Sequence, residues 1–125
     1  MILGAMFNFE AAHHLPHHEG KCRNLHGHSY RMEVKISGPV DSHFGMVIDL
    51  KDFKHLINEQ VIDHLDHSNL NEKWDNPTAE NMVKSIVNQL KDILHYHVDN
   101  TIKLYSVKLW ETEKCFVEWR NHACT

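Results

Sequence analysis

The 125-residue chain has no apolar run long enough to cross a membrane, and residues 1–5 lack the basic start of a signal peptide. It holds only 3 cysteines, an odd number that argues against a disulfide framework. A net charge of -4 argues against a nucleic-acid partner, because no positive field attracts phosphate backbones. No break in composition divides the sequence. We therefore expect one soluble domain over residues 1–125, located in a reducing cytoplasm, with no nucleic-acid or membrane partner.

Histidine is the residue that the chain has in excess. There are 13 histidines, as many as lysine and arginine together. Histidine is the commonest metal ligand, and it titrates nearest to neutral pH. Scattered histidines are attributed to composition alone: His43, His55, His95, His97 and His122. Only the clustered histidines are treated as candidates for a site.

Apolar alternation predicts four strands. Residues 6–13 and 25–38 alternate with a period of two, and a loop with Pro16 and Gly20 separates them. Residues 101–111 and 115–119 form a second pair, joined by a short turn. In the third strand the apolar face switches near Tyr105, which predicts a β-bulge.

Two helices are predicted between the strand pairs. Asp49 can cap the first helix, whose apolar positions have the spacing of one helical stripe: Phe53, Leu56, Ile57 and Val61. Asn76 or Thr78 can cap the second helix, whose stripe has eight members: Ala79, Met82, Val83, Ile86, Val87, Leu90, Ile93 and Leu94. The order ββααββ predicts an α+β fold with two helices on a four-stranded antiparallel sheet. Free edges of such a sheet favour pairing with further copies of the chain.

Three histidines are predicted to meet at the end of the first strand pair. His26 and His28 lie on one strand with one residue between them, so their imidazoles point to the same face about 7 Å apart. His13 ends the preceding strand on its apolar face. If the two strands pair antiparallel, the loop returns the chain so that His13 lies beside the other two. Three neutral imidazoles are typical of a catalytic zinc site, which keeps a fourth position open for water or substrate.

The residues of the connecting loop leave two assignments open. Three loop histidines compete with His13 for the third ligand position, although they lie outside the strand: His14, His17 and His18. Cys22 lies four residues before His26. Its thiol could be a fourth zinc ligand, or a base or nucleophile beside the metal, because a nearby cation lowers the pKa of a thiol.

Several acidic positions have weaker signals. Asp66-His67 follows the first predicted helix, where a carboxylate can orient an imidazole for acid–base chemistry. Asp63-His64 is a similar pair one turn earlier, and a solvated helix end explains both. Carboxylates at Glu80 and Glu111 could hold a ligand with two adjacent N–H donors. Surface acids, or a charge that complements the helix dipole, are the simpler interpretation for both.

Together these residues form an ordered pattern: Phe9-Glu10-Ala11-Ala12-His13, Cys22-x3-His26-Gly27-His28, Leu65-Asp66-His67-x2-Leu70-Asn71, Pro77-Thr78-x-Glu80-Asn81 and Trp110-Glu111-Thr112. The pattern resembles the 6-pyruvoyl-tetrahydropterin synthase family over nearly the whole chain. The short gap between Cys22 and His26 looks like the bacterial branch, the 6-carboxy-5,6,7,8-tetrahydropterin synthases of queuosine and deazapurine synthesis. The pyruvoyl-forming branch typically has a longer gap.

The resemblance implies the tunnelling fold (T-fold), in which ββααββ subunits assemble into a barrel-forming trimer that usually stacks as a homohexamer. It also implies a Zn2+ cofactor, with His13, His26 and His28 as its ligands. Cys22 matches the catalytic base of the family and not a ligand. Asp66 and His67 match the partner acid–base pair, which is often contributed across a subunit interface.

The implied substrate is a pterin triphosphate, 7,8-dihydroneopterin triphosphate, whose side-chain hydroxyls bind the open zinc position. Glu111 matches the carboxylate that holds the amino-pyrimidinone edge of the pterin, with Thr78 and Glu80 as nearby contacts. The implied products are 6-carboxy-5,6,7,8-tetrahydropterin, acetaldehyde and triphosphate. The alternatives are 6-pyruvoyl-tetrahydropterin synthase and a zinc- or pterin-binding module without catalysis. The sequence assigns no residue to the triphosphate and no role to residues 120–125.

Overall fold

Two long strands form the centre of the sheet. In the computed structural model, which describes residues 1–124, β1 spans Ile2–His13 and β2 spans His26–Ser37. They pair antiparallel in one continuous register, with Ile2 opposite Ser37 and His13 opposite His26. The predicted hairpin is confirmed. β1 begins at Ile2 and not at residue 6, because backbone pairing with β2 continues where Gly4 interrupts the apolar pattern.

The sheet has five strands in the order β3-β1-β2-β4-β5, one more than predicted. β4 (Lys103–Trp110) pairs antiparallel with β2, and β5 (Phe116–Arg120) pairs antiparallel with β4. The additional strand β3 is only Ser68–Asn69 and lies parallel to the end of β1. A two-residue strand has no periodicity, so the sequence pattern contained no signal for it.

The bulge predicted near Tyr105 is confirmed. The pairing of β2 with β4 steps from Lys35 opposite Ser106 to Ile36 opposite Leu104, which leaves Tyr105 without a partner residue. The extra residue lets Leu104 and Val107, three positions apart, both be buried in the core. Asn121 donates its backbone N–H to the carbonyl of Tyr105 (2.9 Å) and its side-chain amide to the carbonyl of Leu104 (3.0 Å). Part of the C-terminal tail thus completes the hydrogen bonding of the bulge.

Two helical regions cover one face of the sheet. α1 spans Leu50–Ile57, and Asp49 is its N-cap. The carboxylate of Asp49 accepts the backbone N–H groups of Lys51 and Asp52. The chain continues through a wider turn of π-helix at Asn58–Ile62 into the short α2 (Asp63–Leu65). After a 3-10 turn at Leu70–Glu72, α3 spans Ala79–His97 with Thr78 as its N-cap. Both predicted helices are confirmed.

The core lies between this helical layer and the sheet. All eight predicted stripe residues of α3 are buried: Ala79, Met82, Val83, Ile86, Val87, Leu90, Ile93 and Leu94. They face the inward side chains of β1, β2 and β4, which include Phe9, Tyr30, Val34 and Leu109. His13 is also fully buried, at the end of this same face. The predicted zinc ligands are therefore continuous with the core. No helix among residues 1–124 is long and apolar enough to span a membrane.

Candidate metal centre and active site

Three imidazoles meet on the helix-covered face at the end of the β1–β2 hairpin. Strand pairing places His13 opposite His26 and Ala11 opposite His28, so the three rings share one face. Ring centroids lie 4.7 Å apart for His13 and His26, 5.0 Å for His13 and His28, and 4.9 Å for His26 and His28. Their candidate ligand nitrogens all lie within 4.8 Å of one another, so they could hold one metal ion. Among the side chains that the structure describes, no other group of His, Cys, Asp or Glu has this arrangement.

Backbone carbonyls set the proton positions of two of these rings. The Nδ1 of His13 lies 2.8 Å from the carbonyl oxygen of Pro77, and the Nδ1 of His26 lies 2.7 Å from that of Asn24. A carbonyl can only accept, so we assign the proton of each ring to Nδ1 and the free lone pair to Nε2. Partners of this kind fix the orientation of metal-binding histidines.

Two ring nitrogens of the cluster lack hydrogen-bond partners. The Nε2 atoms of His13 and His28 are buried and make no hydrogen bond with any of residues 1–124. The His28 nitrogen lies 3.4 Å from a carboxylate oxygen of Glu111, which is a close electrostatic contact. An unsatisfied buried polar atom costs about 1–3 kcal/mol, so these atoms are expected to have a function. A metal ion that accepts their lone pairs would remove this cost, and three neutral imidazoles suit zinc.

Burial favours the metal-binding form of two of the three histidines, His13 and His28. Desolvation lowers the pKa of His13 below its ordinary value of 6.5, although the hydrogen bond to Pro77 and the charge of Glu111 oppose this shift. The pKa of His28 is also lowered by desolvation, against the opposing charge of Glu111. Burial raises the pKa of Tyr30, whose hydroxyl lies 3.3 Å from the Nδ1 of His13, so this phenol stays protonated. Desolvation therefore favours the uncharged form of His13 and His28, which is the form that donates a lone pair to a metal.

The metal-free protein is expected to lose stability as the pH falls below about 6.5, the ordinary histidine value. The unfolded chain binds protons at these histidines more readily than the folded chain, so the free energy of unfolding decreases as protons are added. Urea unfolding of metal-depleted protein at pH 7.5 and pH 5.5 measures this difference. His28→Gln should reduce the pH dependence, whereas His95→Gln, at an exposed position, should leave it unchanged. An equal pH dependence in both variants would contradict the attribution of this stability loss to the cluster histidines.

Cys22 lies in the loop between the two ligand-bearing strands. It is half-buried, within a 3-10 turn at Lys21–Arg23. Its carbonyl accepts the backbone N–H of Leu15 at 2.7 Å, which ties the two sides of the loop together. The group that could hold a metal contains the three histidines and not Cys22, so the geometry gives no support to Cys22 as a fourth ligand. Its role as a base stays a prediction.

The loop histidines also lie outside the metal cluster. His14 instead has its backbone held by Asn71, whose side chain accepts the N–H (2.8 Å) and donates to the carbonyl (2.9 Å). This double hydrogen bond fixes the chain directly after His13. Asn71 belongs to the sequence pattern, but nothing in the sequence indicated which residue it would hold, because its partner lies 57 positions away.

Asp66 and His67 form a hydrogen-bonded pair that is attached to β1. One carboxylate oxygen of Asp66 accepts the backbone N–H of Glu10 at 2.9 Å and lies 3.0 Å from the Nδ1 of His67. The backbone N–H of His67 in turn donates to the carbonyl of Glu10. The hydrogen bond from Glu10 is the main cause that lowers the pKa of Asp66, so this carboxylate stays ionised and can orient the imidazole. Asp63 and His64, the competing pair, lie exposed in α2 and outside this arrangement.

His67 adopts an uncommon backbone conformation. Its φ is 58°, in the left-handed region, and it is the only residue other than glycine with positive φ among residues 1–124. Such conformations cost about 1–3 kcal/mol and cluster at functional sites. The His67 side chain is 80% exposed and borders one cleft together with His28, Glu10 and Ser29. The structure therefore places His67 beside the segment of β1 and β2 that carries His28, on the side of the sheet to which Glu10 and Ser29 point.

The three residues predicted to contact the pterin differ in their position relative to the histidine cluster. Glu111 lies beside His28, as described above, and is the only one of the three placed at the cluster. The hydroxyl of Thr78 accepts the backbone N–H of Asn81 at 3.1 Å as the N-cap of α3. Thr78 reaches the cluster only through its neighbour Pro77, whose carbonyl holds His13. Glu80 is exposed in the first turn of α3.

Fold and site together define the class: an α+β protein with a three-histidine candidate metal centre, an adjacent carboxylate and an aspartate–histidine pair. Residues 3–122 match the family described as 6-pyruvoyl tetrahydropterin synthase, and the chain belongs to this family. The family resemblance found in the sequence is confirmed, and structural relatives of the same family confirm the T-fold.

Named relatives represent both branches of the family. The chain is 33% identical over 139 residues to the 6-carboxy-5,6,7,8-tetrahydropterin synthase of Haemophilus influenzae, covering 91% of this chain and 94% of the relative. It is 40% identical over 117 residues to the Synechocystis protein of the same name, covering 89% and 86%. The solved structure of Caenorhabditis elegans 6-pyruvoyl tetrahydropterin synthase superimposes with a TM-score of 0.80 at 32% identity, covering 97% of this chain and 95% of the other.

Proposed function

We propose that this chain is a zinc-dependent carbon–carbon lyase that converts 7,8-dihydroneopterin triphosphate and one water molecule into 6-carboxy-5,6,7,8-tetrahydropterin. Acetaldehyde and triphosphate are the other products, and the reaction belongs to queuosine and deazapurine synthesis in the cytoplasm. The observation that carries this proposal is the three-histidine cluster with the Glu111 carboxylate beside it, in a chain whose relatives include proteins named for this reaction. We treat residues 1–125 as one catalytic domain.

The metal centre would be formed by His13, His26 and His28 with Zn2+. Bound zinc would supply a Lewis acid that polarises the hydroxylated side chain of the substrate and stabilises developing negative charge. The protein contributes neutral imidazoles whose Nε2 lone pairs are free, because backbone carbonyls of Pro77 and Asn24 hold the opposite nitrogens. Glu111 would accept hydrogen bonds from the amino-pyrimidinone edge of the pterin. Thr78 and Glu80 are proposed as further contacts of the pterin.

Proton transfer would be divided between two groups. The thiolate of Cys22 removes a proton from a side-chain carbon of the substrate, and His67 returns a proton to the intermediate. Asp66 stays ionised because of its hydrogen bond from Glu10, and it holds the His67 ring through Nδ1. The Nε2 atom of His67 is then the proton-donating position, on a side chain that is exposed to the cleft.

Product identity tests the proposal. Zinc-loaded protein is incubated with 7,8-dihydroneopterin triphosphate, the pterin is identified by mass, and acetaldehyde is measured with a coupled dehydrogenase. We expect the carboxy product together with an equal amount of acetaldehyde. A pyruvoyl product without acetaldehyde would instead establish the alternative, which the likeness to the C. elegans structure favours. Pterin binding without any turnover would identify a non-catalytic binding module.

His67→Asn is expected to lower kcat by about 10²-fold or more, because the proton donor is lost, general acid–base catalysis typically being worth 10²–10⁴-fold. Asparagine tolerates positive φ, so the variant should keep the backbone of this segment. Stopped-flow turnover and the melting temperature are measured together. The matched control is His64→Asn, in the exposed pair one turn earlier, which should retain wild-type turnover. A His67→Asn variant with normal kcat would remove His67 from the mechanism.

We also propose assembly into a homohexamer of two stacked trimers, each closing a barrel. Two free strand edges support this proposal. β1 pairs with β3 only at Ala11 and Ala12, so the rest of its outer edge is open, and β5 has a neighbour on one side within residues 1–124. Unpaired edges of this kind pair readily with other chains. Light scattering coupled to size-exclusion chromatography should give six chains per particle, and a monomer would contradict the proposal.

A further inference from the structure

The face of the sheet that is not covered by helices carries two cations on one aromatic ring. The guanidinium carbon of Arg31 lies 4.3 Å from the ring centroid of Trp110, and the ammonium of Lys108 lies 4.7 Å from the same centroid. Lys108 also lies 3.9 Å from the ring of Phe116. Strand pairing produces this group, because Trp110 is opposite Arg31 on one side and Phe116 on the other. We call these four residues the cationic platform.

Neither charge of the platform forms an ion pair with a carboxylate within residues 1–124, although Glu33 on β2 and Glu118 on β5 lie opposite Lys108. Two other cations of this face have carboxylate partners: Lys35 lies 3.5 Å from Glu33, and Arg120 lies 4.0 Å from Glu118. Arg31 and Lys108 form no such ion pair there, and aromatic rings hold them in place. Contacts between a cation and an aromatic ring leave the positive charge available to an anion. The platform is therefore an ordered positive site.

A cavity of about 420 Å³ adjoins the platform. Arg31 and Trp110 line it together with Asn8, Ser29, Thr112 and Glu113. The hydroxyl oxygen of Thr112 accepts the backbone N–H groups of Cys115 (3.2 Å) and Lys114 (3.4 Å), so its proton is free to be donated to a ligand. Asn8 forms no side-chain hydrogen bond within residues 1–124 and can also donate. Arginine with neutral donors around it is the chemistry that recognises phosphate oxygens.

Two residues that line the cavity directly follow residues of the candidate active site along the chain. Ser29 follows His28, and Thr112 follows Glu111, with alternate residues pointing to opposite faces of the sheet. The pairing of β2 with β4 ends at Arg31 opposite Trp110, so the cavity lies where β4 stops and not behind a continuous sheet. A ligand held at His28 and Glu111 can therefore extend around this strand end to the platform.

We infer that this cavity is a binding subsite for a polyphosphate chain, with Arg31 contacting phosphate oxygens and Lys108 strengthening the positive field. The inference rests on the proposed function for the source of that chain, which is the triphosphate of the substrate or the free triphosphate released from it. Glu113 is the one carboxylate among the lining residues, and it opposes anion binding. Its removal should therefore strengthen binding.

Calorimetry with inorganic tripolyphosphate tests the subsite independently of catalysis. The double variant Arg31→Gln/Lys108→Gln should weaken binding at least tenfold, because both charges are lost, and Glu113→Gln should tighten it. Lys91→Gln is the matched control, since Lys91 also lies over an indole, 5.0 Å from the ring of Trp119, but outside the platform. Titrations use zinc-loaded protein and are repeated after metal depletion, because tripolyphosphate also binds zinc. Binding should persist without metal and weaken as ionic strength rises.

A second measurement distinguishes the two sources of the phosphate chain. If the substrate's own triphosphate occupies the subsite, the double variant should raise KM for 7,8-dihydroneopterin triphosphate at least tenfold with little change in kcat. If only the released product occupies it, KM should stay unchanged while inhibition by tripolyphosphate is lost. Binding of tripolyphosphate that is unaffected by the double variant, or that disappears with the metal, would overturn the inference. Loss of binding in the double variant without any turnover by the wild type would retain the subsite and reject the proposed function.

Discussion

His26→Ala is expected to remove bound zinc from the purified protein and to reduce turnover to background. Removal of the hydrogen-bond partner of a metal-binding histidine typically lowers the metal affinity about 10–100-fold. Loss of the histidine itself should lower the affinity further. Zinc content is measured by elemental analysis after dialysis, and turnover by product formation from the pterin triphosphate. His26 is the preferred position because it is half-buried, whereas His13 is fully buried and its truncation would also leave a cavity in the core.

His95→Ala is the control for this experiment. His95 is exposed on α3, so its loss should change neither zinc content nor turnover. The melting temperature of the metal-free proteins should be similar for both variants, because neither side chain belongs to the apolar core. Full zinc content in His26→Ala would mean that the three-histidine cluster is not the metal site.

Cys22→Ala is expected to keep zinc but to lose about 10²–10⁴-fold in kcat, the usual contribution of a positioned acid or base. Zinc should remain because Cys22 lies outside the group of side chains that could hold a metal. The metal content and the single-turnover rate are measured on the same preparation. Cys115→Ala is the matched control, since Cys115 is also a free thiol and lies exposed outside the metal cluster.

The two possible failures of the Cys22 experiment have different meanings. Wild-type kcat in Cys22→Ala would show that another group is the base. Loss of zinc together with activity would instead make Cys22 a ligand, which is the alternative that residue chemistry alone left open. Only the combination of retained zinc and lost turnover supports the proposed mechanism.

Much of the fold could be predicted because side-chain direction follows the local backbone period. The period of two in β1 and β2 placed His26 and His28 on one face, and the helical period of α3 predicted its buried stripe. Asp49 was predicted as a cap, and so was Thr78 with Asn76 as its alternative, because such side chains bond to N–H groups two or three residues away. The bulge at Tyr105 was visible as a change of face in a single strand. Each of these features depends on neighbours along the chain.

The sequence by itself thus determined the four longer strands, the two main helices and the pair of histidines on β2. Contacts between distant segments, including the short strand β3, were decided only by the tertiary structure. Pairing of β1 with β2 selected His13 over the loop histidines, and the carbonyl of Pro77 oriented its ring from 64 positions away. The backbone of Glu10 distinguished Asp66-His67 from the similar pair before it. Backbone groups have the same chemistry at almost every residue, so no sequence pattern shows which of them will meet a given side chain.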